Sequence, residues 1–213
     1  MKISRGQLFT AIFCLIPLGL IVINYARNDL TANPIQAVTL RTGRTAINLL
    51  VLSLACTPIR NLFGLTSFLK IRKSLGLFAF LYAALHFLIF AGLDFELNLS
   101  WIMDEVRYKP FIQIGLAALI LLIPLAITSI TKIQRKMGKW WGILHRLVYL
   151  VALLAIIHYL MATKGDILRP IIYAGITLFL LLLRVYPINK IKIAPKSGLF
   201  TSINSFLLHQ GLT

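Results

Sequence analysis

Long stretches without a charged residue are the feature that most limits what this chain can fold into. A transmembrane helix needs about 17–25 predominantly apolar residues. Three charge-free stretches, 6–26, 74–93 and 110–131, clearly meet that length. The stretch 147–163 is borderline and is extended by the aromatic residues before it, and 45–59 and 170–183 reach the length only when flanking arginines extend to the interface. With 59% apolar and 13% charged residues, the chain is unlike soluble domains, which are about 45–50% apolar and about 25% charged. This composition excludes a soluble globular enzyme and a disordered chain.

The fold class that follows is an all-α, polytopic membrane bundle of six transmembrane helices, which we expect to form one domain over 1–213. The predicted helices span about 7–26, 44–61, 74–93, 110–131, 143–163 and 169–188. No segment outside the membrane is long enough to fold alone, and no internal repeat or nucleotide-binding glycine motif is evident. The loop 94–109 is expected to form a short interfacial helix that carries Trp101.

Basic residues are distributed unevenly between the two sides that these helices define. If the N-terminus is inside, the inner segments hold 15 of the 22 basic residues and none of the six acidic ones. The positive-inside rule favours this orientation, with both termini cytoplasmic. We therefore interpret the net charge of +16 as a signal that sets the orientation of the chain in the membrane. We expect membrane lipid as a partner and no nucleic acid.

Two histidines lie inside the apolar stretches, where an ionisable group is a functional candidate. His86 precedes Asp94 by eight residues and His158 precedes Lys164 by six. At about 1.5 Å per residue, they lie about 12 and 9 Å below the outer ends of two parallel helices. Two histidines at one depth on two helices suit a haem iron, which takes one axial nitrogen on each face. The alternative for each is a hydrogen-bonded polar group between helices.

A third histidine, His145, lies at the inner end of the fifth predicted helix, about 20 Å along the axis from His158. It cannot ligate the same iron, but a second, inner haem at His145 would extend an electron path between the two faces. Arg72 and Lys73 occupy the matching level on the third helix, so an inner haem lacks an evident second histidine. Arg72 suits a haem propionate better than iron. The alternative for His145 is an ordinary interfacial residue.

Two arginines near the outer haem level are candidate cofactor contacts. Arg41 and Arg44 lie at the predicted outer end of the second helix, and buried propionates need cationic partners with good hydrogen-bond geometry. Interfacial anchoring is the alternative for both. The outer loops also carry acidic residues that could orient a basic patch on a partner. These are Asp94, Glu96, Asp104 and Glu105.

Three motifs make the sequence similar to a known family. LRTGRTAINLLVLSLACTPIRN, RKSLGLFAFLYAALH, and KWWGILHRLVYL followed by IHY resemble the MsrQ (YedZ) family, over about residues 8–190. That family is the haem-binding membrane subunit of the MsrPQ methionine sulfoxide reductase system, within the ferric-reductase-like transmembrane superfamily. The resemblance implies one or two b-type haems, with His86, His145 and His158 as iron ligands. FMN is implied by the resemblance alone, since no flavin motif is evident.

The resemblance also implies a place in an electron-transfer chain. It implies a bacterial inner (plasma) membrane, a quinol or cytosolic flavin reductase as donor, and the periplasmic molybdopterin reductase MsrP as acceptor in the repair of oxidised periplasmic proteins. A haem bundle without soluble domains agrees with this, because it is suited to conduct electrons between partners. We therefore expect an electron-transfer subunit of an oxidoreductase complex, not a catalytic subunit on its own. The alternatives are the membrane cytochrome b of another quinol-linked oxidoreductase and a haem-free transporter or assembly factor.

Overall fold

A computed structural model of the chain describes residues 5–27, 29–163 and 165–185. Within these ranges the chain is helical and contains no strand. The helices are α1 Arg5–Ala26, α2 Pro34–Phe63, α3 Ser67–Ile89 with a π-helical turn Phe90–Asp94, α4 Leu99–Tyr108, α5 Pro110–Ile127, α6 Thr131–Met137, α7 Lys139–Leu144 with a 3-10 turn His145–Leu147, α8 Val148–Ala162 and α9 Leu168–Val185.

The prediction of an all-α membrane helix bundle is confirmed. Five segments in the described part of the chain are long and apolar enough to cross a membrane. They lie in α1, in α2, in α3 with its π-helical turn, in α5, and in the stretch from α7 to the end of α8. The sixth predicted span, about 169–188, corresponds to α9, and its last three residues lie outside the described ranges. The six-span count and the single domain over 1–213 stay predictions.

Helix α2 begins ten residues before the predicted start at about 44. The Asn33 side chain caps it by accepting a hydrogen bond from the Gln36 backbone N–H at 3.0 Å, and Pro34 occupies the first turn, where no N–H is required. Arg41 and Arg44 therefore lie inside a helix of 30 residues and not at its outer end. The extension places three further helical turns beside α3.

Helix α5 ends four residues earlier than predicted. Its last turn is closed at Thr128, whose hydroxyl donates to the Pro124 carbonyl at 2.6 Å, and the chain then turns into α6. The predicted interfacial helix in the loop 94–109 is present as α4. Asn98 caps α4 by accepting from the backbone N–H groups of Ser100 and Trp101.

Two antiparallel helix pairs, α2 with α3 and α5 with α8, form the centre of the bundle, and α1 and α9 pack against them. The buried residues that form the core are Cys14, Leu49, Leu50, Leu54, Cys56, Leu75, Ala79, Tyr82, Leu122, Val151, Ala152 and Leu180. The hydroxyl of Tyr82 holds α1 to α3: it donates to the Cys14 carbonyl at 2.7 Å and accepts from the Leu18 N–H at 3.1 Å. These two backbone groups flank Pro17, which removes a donor from the α1 ladder.

Candidate functional site

A cavity of about 590 Å³ opens between α2, α3, α5 and α8, at the end of the bundle where α2 begins and α3 ends. Its volume is in the range of small-molecule and cofactor sites. His86 from α3 and His158 from α8 both line it, and most of the other lining side chains are apolar. The structure therefore brings together the two histidines that share a predicted depth.

The two imidazole rings are separated by a distance that is compatible with a metal between them. Their centroids are 6.1 Å apart, and the ring planes are inclined at 79°. A bond from a metal to an imidazole nitrogen is about 2 Å long, and the ring centre lies about 1.1 Å further, so a linear arrangement separates the centroids by about 6 Å. The observed spacing fits a single iron bound by both rings.

Each histidine is oriented by a hydrogen bond to a backbone carbonyl. His86 Nδ1 lies 2.8 Å from the Thr39 oxygen, and His158 Nδ1 lies 2.7 Å from the Phe111 oxygen. A carbonyl only accepts, so each Nδ1 carries the proton and donates it. Each Nε2 then keeps its lone pair for a ligand bond, the arrangement that carbonyl-bonded metal histidines adopt.

Two glycines allow the rings to lie against the neighbouring helices. A Cβ atom at Gly43 on α2 would lie 3.0 Å from His86 Nδ1, and one at Gly115 on α5 would lie 2.7 Å from His158 Nδ1. A side chain at either position would displace the ring that it meets. Sequence reasoning did not select these glycines, although each precedes its histidine by 43 residues.

The cavity is built from two structurally similar halves, although no repeat is evident in the sequence. The matching positions are Thr39, Gly43 and His86 in the first half and Phe111, Gly115 and His158 in the second. Each position in the second half lies 72 residues after its match, and each carbonyl residue precedes its histidine by 47. Both halves have the same course, because α2 and α5 run one way and α3 and α8 return.

Polar side chains gather at the mouth of the cavity. Lys109, Glu105, Asp94 and Gln36 line it, and Lys109 forms an ion pair with Glu105. Lys109 is the cationic side chain among the lining residues, and sequence reasoning did not select it. Its only signal is its place directly before Pro110, at the start of α5.

The other predicted site residues lie outside this cavity. Arg41 and Arg44 are not among its lining residues, and the buried Arg44 Nε has no hydrogen-bond partner in the described part of the chain. Arg72 donates from Nη1 to the Thr57 hydroxyl at 3.1 Å, towards the opposite end of the bundle. The structure thus brings two of the six predicted site residues into this cavity.

His145, also outside the cavity, is held differently from the other two histidines. Its ring stacks on Trp141 with centroids 4.2 Å apart, and its Nε2 lies 3.0 Å from the Thr128 hydroxyl oxygen. Because that hydroxyl donates to the Pro124 carbonyl, it accepts from His145 Nε2. The nitrogen that is available for a ligand in His86 and His158 is therefore occupied in His145.

The family model that matches this chain agrees with the bundle and its site. Residues 42–156 match the model described as ferric reductase like transmembrane component. The match includes His86 and His145 and ends two residues before His158. The chain is therefore a ferric-reductase-like transmembrane protein.

Curated relatives give a narrower assignment. Three of them bear the name protein-methionine-sulfoxide reductase heme-binding subunit MsrQ. The one from Rhodospirillum rubrum is 42% identical over 183 residues, which are 85% of this chain and 88% of the relative. The one from Herminiimonas arsenicoxydans is 40% identical over 189 residues, 87% and 86% of the two chains. The one from Brucella anthropi is 43% identical over 160 residues, 75% and 72%. The chain belongs to the MsrQ family.

Proposed function

We propose that this chain is the haem-binding membrane subunit of a protein-methionine-sulfoxide reductase system, and that its cavity holds a b-type haem between His86 and His158. The paired rings carry the proposal: their 6.1 Å centroid spacing fits one iron, and both Nδ1 atoms are engaged by carbonyls. The names of the relatives, which describe a heme-binding subunit, support it.

The residues around the cavity orient the two histidines and leave space for their rings. The carbonyls of Thr39 and Phe111 hold each imidazole in one tautomer and one orientation, so little rearrangement is needed when iron binds. Gly43 and Gly115 leave room for the rings. The apolar lining limits water access, which is one of the ways in which a protein sets a haem potential. Bound haem would supply one-electron transfer.

Polar side chains at the mouth of the cavity would hold the propionates of such a haem. Lys109 is placed to pair with one of them, in exchange for or in addition to Glu105. The prediction that Arg41 and Arg44 also pair with propionates is retained, because the buried Arg44 Nε lacks a partner in the described part of the chain. A shift of either arginine side chain towards the cavity would be needed.

The charge distribution supports the proposed orientation of the bundle, and the family resemblance supports the direction of electron flow. We place the basic end of the bundle in the cytoplasm of a bacterial cell, with both termini inside, and the cavity end towards the periplasm. Electrons then pass from the quinol pool or a cytosolic flavin reductase to a periplasmic molybdopterin reductase of the MsrP kind. The chain acts as an electron-transfer subunit, with catalysis of sulfoxide reduction in the partner. FMN stays an implication of the family resemblance.

An inner haem at His145, with Arg72 directed at a propionate, stays a prediction. For it to form, His145 Nε2 must exchange the Thr128 hydroxyl for iron, or Nδ1 must ligate instead. Such a site is expected to be weaker than the paired site, since no second histidine lies on the neighbouring α3 at that level.

A haem spectrum of the purified full-length protein tests the proposal. The reduced-minus-oxidised spectrum should show low-spin b-type haem, and haem per chain should fall when His86→Ala or His158→Ala removes one axial ligand. His209→Ala is the matched control, because it removes a histidine from the C-terminal tail. Full haem occupancy with unchanged low-spin spectra in both cavity variants would overturn the assignment, and haem-free purified protein would favour the transporter or assembly-factor alternative.

A further inference from the structure

Two arginines from different helices meet at the end of the bundle opposite the histidine cavity. Arg184 of α9 donates from Nη2 to the Leu54 carbonyl at 2.8 Å and the Thr57 hydroxyl at 3.2 Å, and from Nη1 to the Tyr149 hydroxyl at 3.0 Å. Arg72 of α3 donates to the same Thr57 hydroxyl at 3.1 Å. We name Arg72, Arg184 and Thr57 the arginine cluster.

Among the residues that the structure describes, none supplies a counter-charge to the arginine cluster. Every hydrogen-bond partner named above is neutral, and neither ion pair of the described residues, Glu105 with Lys109 and Asp166 with Arg169, involves it. All six acidic residues of the chain lie towards the other end of the bundle: Asp29, Asp94, Glu96, Asp104, Glu105 and Asp166. Asp94 follows Arg72 by 22 residues along the helix that α3 and its π-helical turn form, a separation of about 33 Å.

Two guanidinium groups that share one hydroxyl repel each other, and this repulsion is costly in a partly buried site. Arg184 also has a buried Nε with no hydrogen-bond partner in the described residues. An anion supplied from outside the chain would neutralise both cations. Planar guanidinium groups bind oxyanions through two parallel hydrogen bonds, which makes phosphate and carboxylate the best-matched ligands.

The level of the arginine cluster in the membrane identifies the source of the anion. Arg72 lies two residues before the charge-free stretch 74–93, and Arg184 directly follows the stretch 170–183. Both therefore lie at the edge of the hydrocarbon layer, where phospholipid phosphates are found. Helix α9, which supplies Arg184, exposes large apolar side chains such as Leu182, at 67%, as a helix in contact with lipid does.

We propose that the arginine cluster binds the phosphate of an anionic phospholipid in the adjacent leaflet, which is the cytoplasmic leaflet in the orientation proposed above. Basic pockets between transmembrane helices bind anionic headgroups in this way. The proposal does not depend on haem in the cavity. A propionate of an inner haem is the competing oxyanion for Arg72, and haem content distinguishes the two.

The test measures retention of phosphatidylglycerol by the full-length protein, using native mass spectrometry in detergent, with phosphatidylcholine as the neutral comparison. Arg184→Gln and Arg72→Gln should each weaken retention about tenfold, because each removes a charge-assisted contact to the phosphate. Arg135→Gln is the matched control, because Arg135 is an exposed arginine of α6, also on the basic side of the chain. The Arg135→Gln variant should retain as much phosphatidylglycerol as the native chain.

A second readout covers the case in which a glutamine variant unfolds. Arg184→Lys keeps the charge but loses the planar fork, and it should retain phosphatidylglycerol at a level between the native chain and Arg184→Gln. Phosphatidylglycerol should also raise the thermal unfolding midpoint of the native chain more than it raises that of Arg184→Lys.

Four outcomes would overturn the proposal. Equal retention in the native chain, Arg72→Gln and Arg184→Gln would show that the arginine cluster binds no lipid. An equal loss in Arg135→Gln would indicate a general effect of charge. Displacement by millimolar inorganic phosphate would assign the arginine cluster to a soluble anion. A fall in haem per chain with lipid retention unchanged would assign it to a haem propionate.

Discussion

The rings of His86 and His158 lie 6.1 Å apart, centroid to centroid, although 72 residues separate them in the chain. Each is fixed by a carbonyl on the preceding long helix, Thr39 for the first and Phe111 for the second. The two imidazoles are therefore oriented by the protein backbone, independently of any metal. Such support usually strengthens metal affinity by about 10–100-fold.

The first prediction concerns the glycines beneath these rings. Gly115→Ala would place a Cβ 2.7 Å from His158 Nδ1, closer than carbon and nitrogen atoms approach without bonding, so the ring must move and the carbonyl hydrogen bond must weaken. Gly43→Ala, at 3.0 Å from His86 Nδ1, should have a smaller effect. We expect haem per chain to fall in the order native, Gly43→Ala, Gly115→Ala, as measured by the low-spin spectrum.

Gly175→Ala on α9 is the control for both alanine variants, because nothing lies within 4 Å of an added Cβ there. Its haem content should equal that of the native chain. A Gly115→Ala protein with native haem content and an unchanged spectrum would contradict the close packing of the ring against α5.

Part of this site could be predicted from the sequence, because it depends on distances along individual helices. The charge-free stretches and the rise of a helix were enough to place His86 and His158 at one depth. Thr39 and Gly43 are not predicted, because the charges of Arg41 and Arg44 indicate the end of a helix in the sequence. The better signals were Asn33 and Pro34, the cap and first-turn residues.

The structural repeat could not be predicted from the sequence for a different reason. The contact that is repeated involves a backbone carbonyl, which any residue provides, so Thr39 and Phe111 match in structure without resembling each other. Only the glycine and histidine positions need the same residue in both halves. Lys109 could not be predicted as a lining residue, because its position at the cavity depends on how α4 packs against α5.

The second prediction concerns Tyr82, whose side chain is fully buried. Tyr82→Phe removes the hydroxyl that joins the Cys14 carbonyl and the Leu18 N–H, leaving two backbone groups of α1 without it. We expect the free energy of unfolding to fall by about 1–3 kcal/mol, which is the cost of leaving buried polar groups without a hydrogen bond. Thermal unfolding in detergent measures this. Tyr25→Phe is the control: it alters a 67% exposed tyrosine of α1 and should leave the free energy of unfolding unchanged. An equally stable Tyr82→Phe protein would show that α1 closes its own ladder.

The third prediction concerns charges near the proposed haem. A cation close to the iron favours the reduced state, which carries one positive charge fewer, so removing the cation should lower the midpoint potential. We expect Lys109→Gln to do so, since Lys109 lines the cavity. Arg44→Gln should do so as well if the arginine turns to a propionate. A potentiometric titration followed at the haem band measures both, and an unchanged potential in Arg44→Gln would contradict the pairing of Arg44 with a propionate.

The fourth prediction concerns the inner end of the bundle. His145→Ala should lower haem per chain, or slow haem reduction from the cytoplasmic side, while the spectrum of the paired site remains. Thr128→Val is the matched variant, because it removes the hydroxyl that holds His145 Nε2 but leaves the imidazole in place. It should leave haem content at or above that of the native chain. If His145→Ala changes neither stoichiometry nor rate, His145 is an ordinary interfacial residue stacked on Trp141.

The last prediction concerns electron delivery to a separate periplasmic reductase. The outer end of the bundle has no folded domain in its described loops, but it carries the acidic side chains of the chain, and Glu96 and Asp104 are exposed there. Complementary charge of this kind acts mainly on the association rate. We expect the chemically reduced protein to be reoxidised rapidly by an MsrP-type partner, and the rate to fall about tenfold when salt is raised or both acids are neutralised.

The control for these acids is Asp29→Asn, which removes an exposed acid from the α1–α2 loop, outside the cavity lining. Glu96 follows the lining residue Phe95 and Asp104 precedes the lining residue Glu105, whereas Asp29 is adjacent to no lining residue. The loss of Asp29 should therefore leave the rate near that of the native chain. Stopped-flow spectroscopy at the haem band follows each reaction. Reoxidation that depends on neither salt nor Glu96 and Asp104 would retain the electron-transfer role but remove the acidic docking surface. An absence of reoxidation by any MsrP-type reductase would contradict the proposed partner, even with haem bound between His86 and His158.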